Sequence, residues 1–275
     1  MKKMEGTFVG ADGRISGYDL KLTNEQPSDL VVFAHGFMGF KDWGCWNLVQ
    51  DYFVKNGMSF LKYNVSHNGV TLEQPTDFAD LNAFGSNNYS KEKDDLRCII
   101  AQIKDELGDQ IKIHLIGHSR GGGIVLLMAD ELKVTSVTTW AGISDIGKRF
   151  PLGSELENWK QNGSRTILNG RTHQEMPLNY TQYLDFVENR QELDIKESCQ
   201  KLKIPVCAIH GDADTSVELK EGLQIAEWTK TSLHIISDGN HTFDATQPWN
   251  SDVLPHQLKE VCDMTIQFIH ETIQL

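Results

Sequence analysis

Short apolar runs and helix-spaced apolar stripes take turns along most of the chain. Thr7–Val9 and Ile15–Leu22 are strand-like and flank Ala11-Asp12-Gly13, an Asp-Gly turn of the hairpin kind. Leu30–Ala34 is a continuous apolar run, the mark of a strand covered on both faces in a parallel sheet, and Met58–Tyr63 is another short apolar strand. Between them Cys45, Leu48, Val49 and Tyr52 fall at i, i+3, i+4, i+7, one face of a helix that Asn56-Gly57 stops. Leu96, Ile99, Ile100, Ile103 and Leu107 mark a second helix, closed by Gly108. A strand starting at Ile111 then leads through a glycine-rich turn into an apolar helix, Ile124–Ala129. Further strands are predicted at Val134–Trp140, Ile204–Ile209 and Leu233–Ile236. Thr215-x-x-Glu218 has the form of a capping box opening a helix through Trp228. Leu258, Val261, Cys262, Thr265, Phe268 and Ile269 align on one face of a C-terminal helix.

Strands alternating with helices predict an α/β fold with a mostly parallel, eight-stranded, doubly wound sheet flanked by helices and begun by an antiparallel hairpin. Two stretches break the rhythm. Residues 64–89 have no clear period and are rich in Asn, Gly, Pro and aromatics; a connection that long is more often functional than not. From about 146 to 203 the pattern dissolves except for one amphipathic helix around Tyr180–Glu188. We read this as a small cap inserted over the sheet's C-terminal edge, so that 1–275 is a single domain carrying it. It is too polar for a lipid-sensing lid, which would expose a large apolar face.

A chain of 275 residues can bury a substantial core. Its net charge of −12 leaves no basic stripe to neutralise phosphates, which excludes nucleic acid and anionic membranes as expected partners. It also disfavours a strongly anionic substrate, unless local charge in a pocket overrides it. No apolar run has the length of a membrane span, and the two N-terminal lysines lead into no apolar segment of a signal peptide. Cys45, Cys98, Cys199, Cys207 and Cys262 are odd in number and widely spaced, which predicts reduced thiols in a cytoplasmic protein. Histidines lack metal-ligand spacing, so no metal is expected. The glycine-rich turn lacks a P-loop lysine and the Gly-x-Gly-x-x-Gly spacing, so no nucleotide cofactor is expected either. Nothing in the sequence fixes an oligomeric state.

The chemistry concentrates in Gly117-His118-Ser119-Arg120-Gly121, set between a strand and an apolar helix. A serine in a strained strand-to-helix turn needs glycines two positions either side, because the backbones nearly touch there. The helix behind it aims unpaired N–H groups at the place where an oxyanion would form. Three other strand ends put polar groups at the same rim: His35-Gly36-Phe37, Asp212 and Asp214, and His241. The order serine, carboxylate, histidine, with the whole run of strands and helices, closely resembles the α/β-hydrolase family over essentially the full chain. The details His35-Gly-Phe, Gly-His-Ser-Arg-Gly-Gly, His-Gly-Asp-x-Asp and Asn-His-Thr-Phe look most like the serine esterases related to dienelactone hydrolases and acyl-peptidase catalytic domains. Where dienelactone hydrolases carry a cysteine, this chain has Ser119.

The resemblance implies a nucleophile at Ser119, a base at His241 and its orienting acid at Asp214. The family's usual position favours Asp214 over Asp212, which is expected to tie its turn, and over Asp145. It also implies an oxyanion hole formed by the backbone N–H groups of Phe37 and Arg120. His35 and His118 are expected to be structural, and the Arg120 side chain to make an ion pair. Met38, Trp159 and Trp249 are candidate pocket walls. The expected activity is hydrolysis of small or moderate-sized carboxylic esters through an acyl-enzyme, without cofactor. The alternatives are amide or peptide hydrolysis by the same triad and a non-catalytic hydrolase-like binding protein.

Overall fold

Strand side chains alternate between two faces, and in the central strands both faces are apolar. The computed structural model describes residues 2–274, so the two terminal residues of the 1–275 domain expectation lie outside the described residues. It forms a sheet in the order β1 (Lys2–Val9), β2 (Ile15–Leu22), β4 (Ser59–Tyr63), β3 (Asp29–Ala34), β5 (Lys112–His118), β6 (Ser136–Trp140), β9 (Val206–Gly211) and β10 (Leu233–Ile236). β1 and β2 form the antiparallel hairpin, β2 pairs antiparallel with β4, and all pairs from β4 to β10 are parallel. The Asp-Gly turn is a short 3₁₀ turn in which Asp12 and Gly13 both take positive φ.

The alternation divides the core in two. Leu30, Val32, Ala34, Leu61 and Leu115 serve one face, Val31, Phe33, Phe60 and Ile116 the other. The first face is covered by α3 (Tyr89–Leu107), α4 (Arg120–Met128) and α8 (Leu219–Thr229). The second is covered by α1 (Trp46–Lys55) and α9 (His256–Ile273), where Trp46 and Phe53 of α1 meet Trp140 of β6 in tilted aromatic contacts. All nine residues of α4 are buried, which is why its sequence has no polar stripe. Burying both faces of the sheet is the main stabilising contribution, roughly 1.5–3 kcal/mol for each large apolar side chain taken out of water.

Three local expectations need correction. α3 begins at Tyr89, seven residues before its apolar stripe, because the Asn88 side chain accepts the Lys91 N–H and caps it. The irregular stretch before it contains α2 (Leu81–Ser86), capped in the same way by Asp80. The Thr215/Glu218 capping box does not form: α8 starts at Leu219 with Glu218 as an N-cap that makes no side-chain bond. The preceding turn is held instead by Asp214, whose Oδ1 accepts the N–H groups of Ser216 (2.8 Å) and Val217 (2.9 Å).

Residues 146–203 hold more regular structure than their sequence suggests: α5 (Gly153–Asn162), α6 (Thr181–Glu188), α7 (Ile195–Lys201) and a separate antiparallel hairpin of β7 (Ser164–Leu168) and β8 (Glu175–Asn179). Phe150, Trp159, Tyr180, Tyr183 and Phe186 interlock between these elements. The Gln174 and Gln182 side chains donate to the Phe78 and Gly85 carbonyls, tying the insertion to the α2 region. Among the described residues no helix is long and apolar enough to cross a membrane. No group of three possible metal ligands occurs among them, and all five cysteines are free.

Candidate active site

The sheet's carboxyl-terminal rim is where the loops after β3, β5, β9 and β10 meet. Ser119 follows β5 with φ 56° and ψ −117°, a conformation that non-glycine residues rarely adopt and that the neighbouring packing must impose. A Cβ at position 117 would overlap the Gly121 carbonyl, and one at 121 would overlap the Ala34 carbonyl. The turn therefore closes only with glycine at both places. This lifts the serine side chain out of the sheet onto the N-terminus of α4.

The Ser119 hydroxyl donates to His241 Nε2 at 2.9 Å, and His241 Nδ1–H donates to Asp214 Oδ2 at 2.7 Å. Three groups from β5, β9 and β10 thus form one hydrogen-bonded line. The Asp214 carboxylate is wholly covered. Burial alone would raise its pKa, but the nearby His210 ring, the bond from His241 and its charge, and the Val217 N–H outweigh that and hold the carboxyl well below the usual range. Asp214 is therefore charged and fully engaged: one oxygen holds its own turn and the other holds the imidazole. Asp212 accepts the Asp238 N–H and ties the loops after β9 and β10, while Asp145 is exposed and accepts the Gly147 N–H. Neither faces the imidazole line.

Two histidines support the line from below. His118 Nε2–H donates to the His241 carbonyl at 2.8 Å, fixing the backbone that carries the imidazole. His35 Nδ1–H donates to the Gly36 carbonyl, and its Nε2 accepts the Val65 N–H. Burial pushes His118 down to about 3 and His35 down to about 4, so both stay neutral and keep these bonds across the physiological range. The main-chain N–H groups of Phe37 and Arg120 have no partner among the described residues, and both residues share a cavity wall with Ser119 and His241. The Arg120 side chain is turned away into the core, with Nε 2.8 Å from Glu92 and its guanidinium stacked 3.7 Å above the Tyr89 ring.

Two cavities meet at Ser119 and His241. The larger, about 450 Å³, lies under the insertion, with Trp159, Arg165, Ile167 and Leu178 on one side and Tyr89 and Ile143 on the other. The smaller, about 410 Å³, is walled by Met38, Trp43, Trp46 and Phe78. Trp159 and Met38 are therefore wall residues, one in each cavity. Trp249 lines neither. Its indole N–H donates to the Val253 carbonyl and its ring packs on the α1/α9 side of the sheet, so its nearness to His241 in sequence misleads. Sequence reasoning also missed Tyr89, Arg165 and Leu178. The alternation of Ser164–Leu168, where Arg165 and Ile167 fall on one face, carried a signal for Arg165 alone.

The family model described as alpha/beta hydrolase fold matches residues 29–168. An uncharacterized peptidase, YtmA of Bacillus subtilis, is 28% identical over 125 residues; the match covers 45% of this chain and 42% of that protein, so the aligned part spans about two fifths of the relative. Est1E from Butyrivibrio proteoclasticus, solved with ferulic acid bound, superposes with a TM-score of 0.74 at 18% identity, over 98% of this chain and 100% of that one. The esterase domain of a Rhodothermus marinus protein superposes with a TM-score of 0.65 at 18% identity, covering 98% of both chains. At such identities the two structures show a shared fold and nothing finer.

Proposed function

The chain belongs to the alpha/beta hydrolase family, and from that premise we propose that it is a serine hydrolase that cleaves carboxylic esters through an acyl-enzyme. The observation that carries this reading is the unbroken line from the Ser119 hydroxyl through His241 to the Asp214 carboxylate. A serine hydroxyl is a poor nucleophile until a base removes its proton as it attacks. His241 Nε2 is already placed as that acceptor, and Asp214 on Nδ1 holds the tautomer and stabilises the imidazolium that forms. The carbonyl oxygen, taking up negative charge, meets the unspent N–H groups of Phe37 and Arg120, each worth about 3 kcal/mol to the transition state. His241 then returns its proton to the leaving alkoxide, leaving an ester on Ser119. Water attacks this ester with one proton passing to Nε2, and as the carboxylic acid leaves, that proton returns from Nε2 to the Ser119 oxygen and restores the hydroxyl.

The named esterases of the same fold support ester rather than amide cleavage. The peptidase name of the B. subtilis relative supports amide cleavage as a second reading. The test is hydrolysis of p-nitrophenyl butyrate, and of a peptide p-nitroanilide, by the wild type and Ser119→Ala. We expect ester turnover that falls on the order of 10⁴-fold or more in the variant, and labelling of Ser119 by a fluorophosphonate. Equal rates in the two proteins would end the reading.

A further inference from the structure

The larger cavity contains one more positive charge than its own packing uses. Three arginines line it. Arg120 is paired with Glu92, and Arg149 with Glu221. Arg165 has no such partner: no carboxylate among the described residues lies within 4.0 Å of it, and its Nε is shut off from solvent with no hydrogen bond. Arg165 is partly buried, and its Nε–H carries the cost of a buried polar group without a partner. Burial pushes its pKa down, and the charge of exposed Glu155 offsets this only from a distance.

The group is held in place as well as left open. Arg165 stands opposite Leu178 in the β7/β8 hairpin, and its guanidinium lies 4.7 Å over the Trp159 ring. The Trp159 indole N–H donates to the Leu178 carbonyl at 2.7 Å, so the ring that carries the guanidinium is itself fixed. A planar cation resting on a locked aromatic face presents its free edge with little conformational freedom left to lose, the arrangement that suits a carboxylate.

We propose that Arg165 receives a carboxylate borne by the arm of the substrate lodged in the larger cavity, so that the preferred substrates are esters carrying a second, ionised acid group. This rests on the reading of Ser119 as the reacting group. The extra carboxylate can belong to the acyl half, as in a half-ester of a dicarboxylic acid, or to the alcohol half. Hydrolysis then leaves a dicarboxylate and an alcohol, or a simple acid and a hydroxy acid. Arg165 in this scheme determines specificity and takes no part in bond making.

The test compares kcat/KM for matched pairs, corrected for spontaneous hydrolysis. Mono-p-nitrophenyl adipate and suberate are set against p-nitrophenyl hexanoate and octanoate for the acyl half, and 4-acetoxybenzoate against phenyl acetate for the alcohol half. In the wild type the charged member of one series should lead. That charged-to-neutral ratio should collapse by about tenfold or more in Arg165→Gln, as loss of a charge-assisted pair implies, and be partly kept in Arg165→Lys. The series that responds identifies the half. An unchanged ratio in Arg165→Gln, or a wild-type preference for the neutral member in both series, overturns the proposal. If neither wild type nor Ser119→Ala cleaves any ester, the reading of Ser119 has failed by itself. Calorimetric titration of adipate and of 4-hydroxybenzoate into wild type and Arg165→Gln then decides: binding of either that is lost in the variant supports an anion site at Arg165, and no binding or equal binding overturns it.

Discussion

Replacing Asp214 by Asn exchanges one oxygen for an NH₂ and should cost nearly all of the activity. Oδ1 keeps its place and still accepts the Ser216 and Val217 N–H groups, so the turn after β9 survives. The other position becomes an NH₂ that faces His241 Nδ1. Two donors cannot share one bond, so the imidazole proton moves to Nε2 and points at the Ser119 hydroxyl, which then has no base. The imidazolium also loses its counter-charge. Two unit charges at the 2.7 Å separation of Nδ1 and Oδ2, at an effective dielectric of about 20, attract by about 6 kcal/mol. At 1.36 kcal/mol per decade that is roughly four decades in rate. We expect kcat/KM for p-nitrophenyl butyrate to fall on the order of 10⁴-fold at pH 7.5, and the residual rate to climb with hydroxide where the wild-type rate is level. The matching controls are Asp212→Asn and Asp145→Asn, whose carboxylates serve only the Asp238 and Gly147 amides; both should stay within about threefold of wild type. A correctly folded Asp214→Asn protein within tenfold of wild type would refute the reasoning. So would an equal loss in Asp145→Asn.

Two further outcomes concern stability. Glu92→Ala leaves the Arg120 guanidinium buried without its carboxylate, and urea unfolding should show a loss of about 3–5 kcal/mol; a change below 1 kcal/mol would mean that the Tyr89 face alone holds the charge. Between pH 4 and 6 stability should fall with acidity. His118, His35 and His67, held down to about 3, about 4 and about 4, are neutral when folded and take up three protons on unfolding below their ordinary value near 6.5, while Asp95, pushed up to about 6 by burial, gives one back. The net uptake of two protons corresponds to a loss of about 2.7 kcal/mol for each pH unit lowered, measured as unfolding free energy in urea at pH 4.5, 5.0, 5.5 and 6.0; a slope of zero or opposite sign would show that these imidazoles are not buried neutral.

What could be read from the amino acids, and what could not, follows from how far each interaction reaches along the chain. The central strands were visible because packing on both faces makes them continuously apolar, and the turn at Ser119 because close backbone approach demands glycine at 117 and 121. The cap hairpin was not. β7 and β8 are five residues each and half-exposed, and α5 buries only Trp159, so neither leaves much of a period. Thr215 and Glu218 carried a capping signature that lost to a longer-range competitor, since Asp214 had already taken the N–H groups of that turn. Trp249 shows the opposite error. It follows His241 by eight residues, but its ring is committed to the far side of the sheet.

The reacting line and the wall that faces it come from different parts of the chain. Ser119, Asp214 and His241 stand on strand ends whose positions are fixed by two buried cores, whereas Trp159, Arg165, Ile167 and Leu178 stand on a hairpin and helix that share none of those strands. Substitutions in the insertion can therefore redraw which molecules are admitted while the hydroxyl, imidazole and carboxyl keep their spacing. The architecture separates choosing from cutting, and exchanging the hairpin between residues 164 and 179, while keeping α7, which packs on α4, is the direct route to a new selectivity on the same engine.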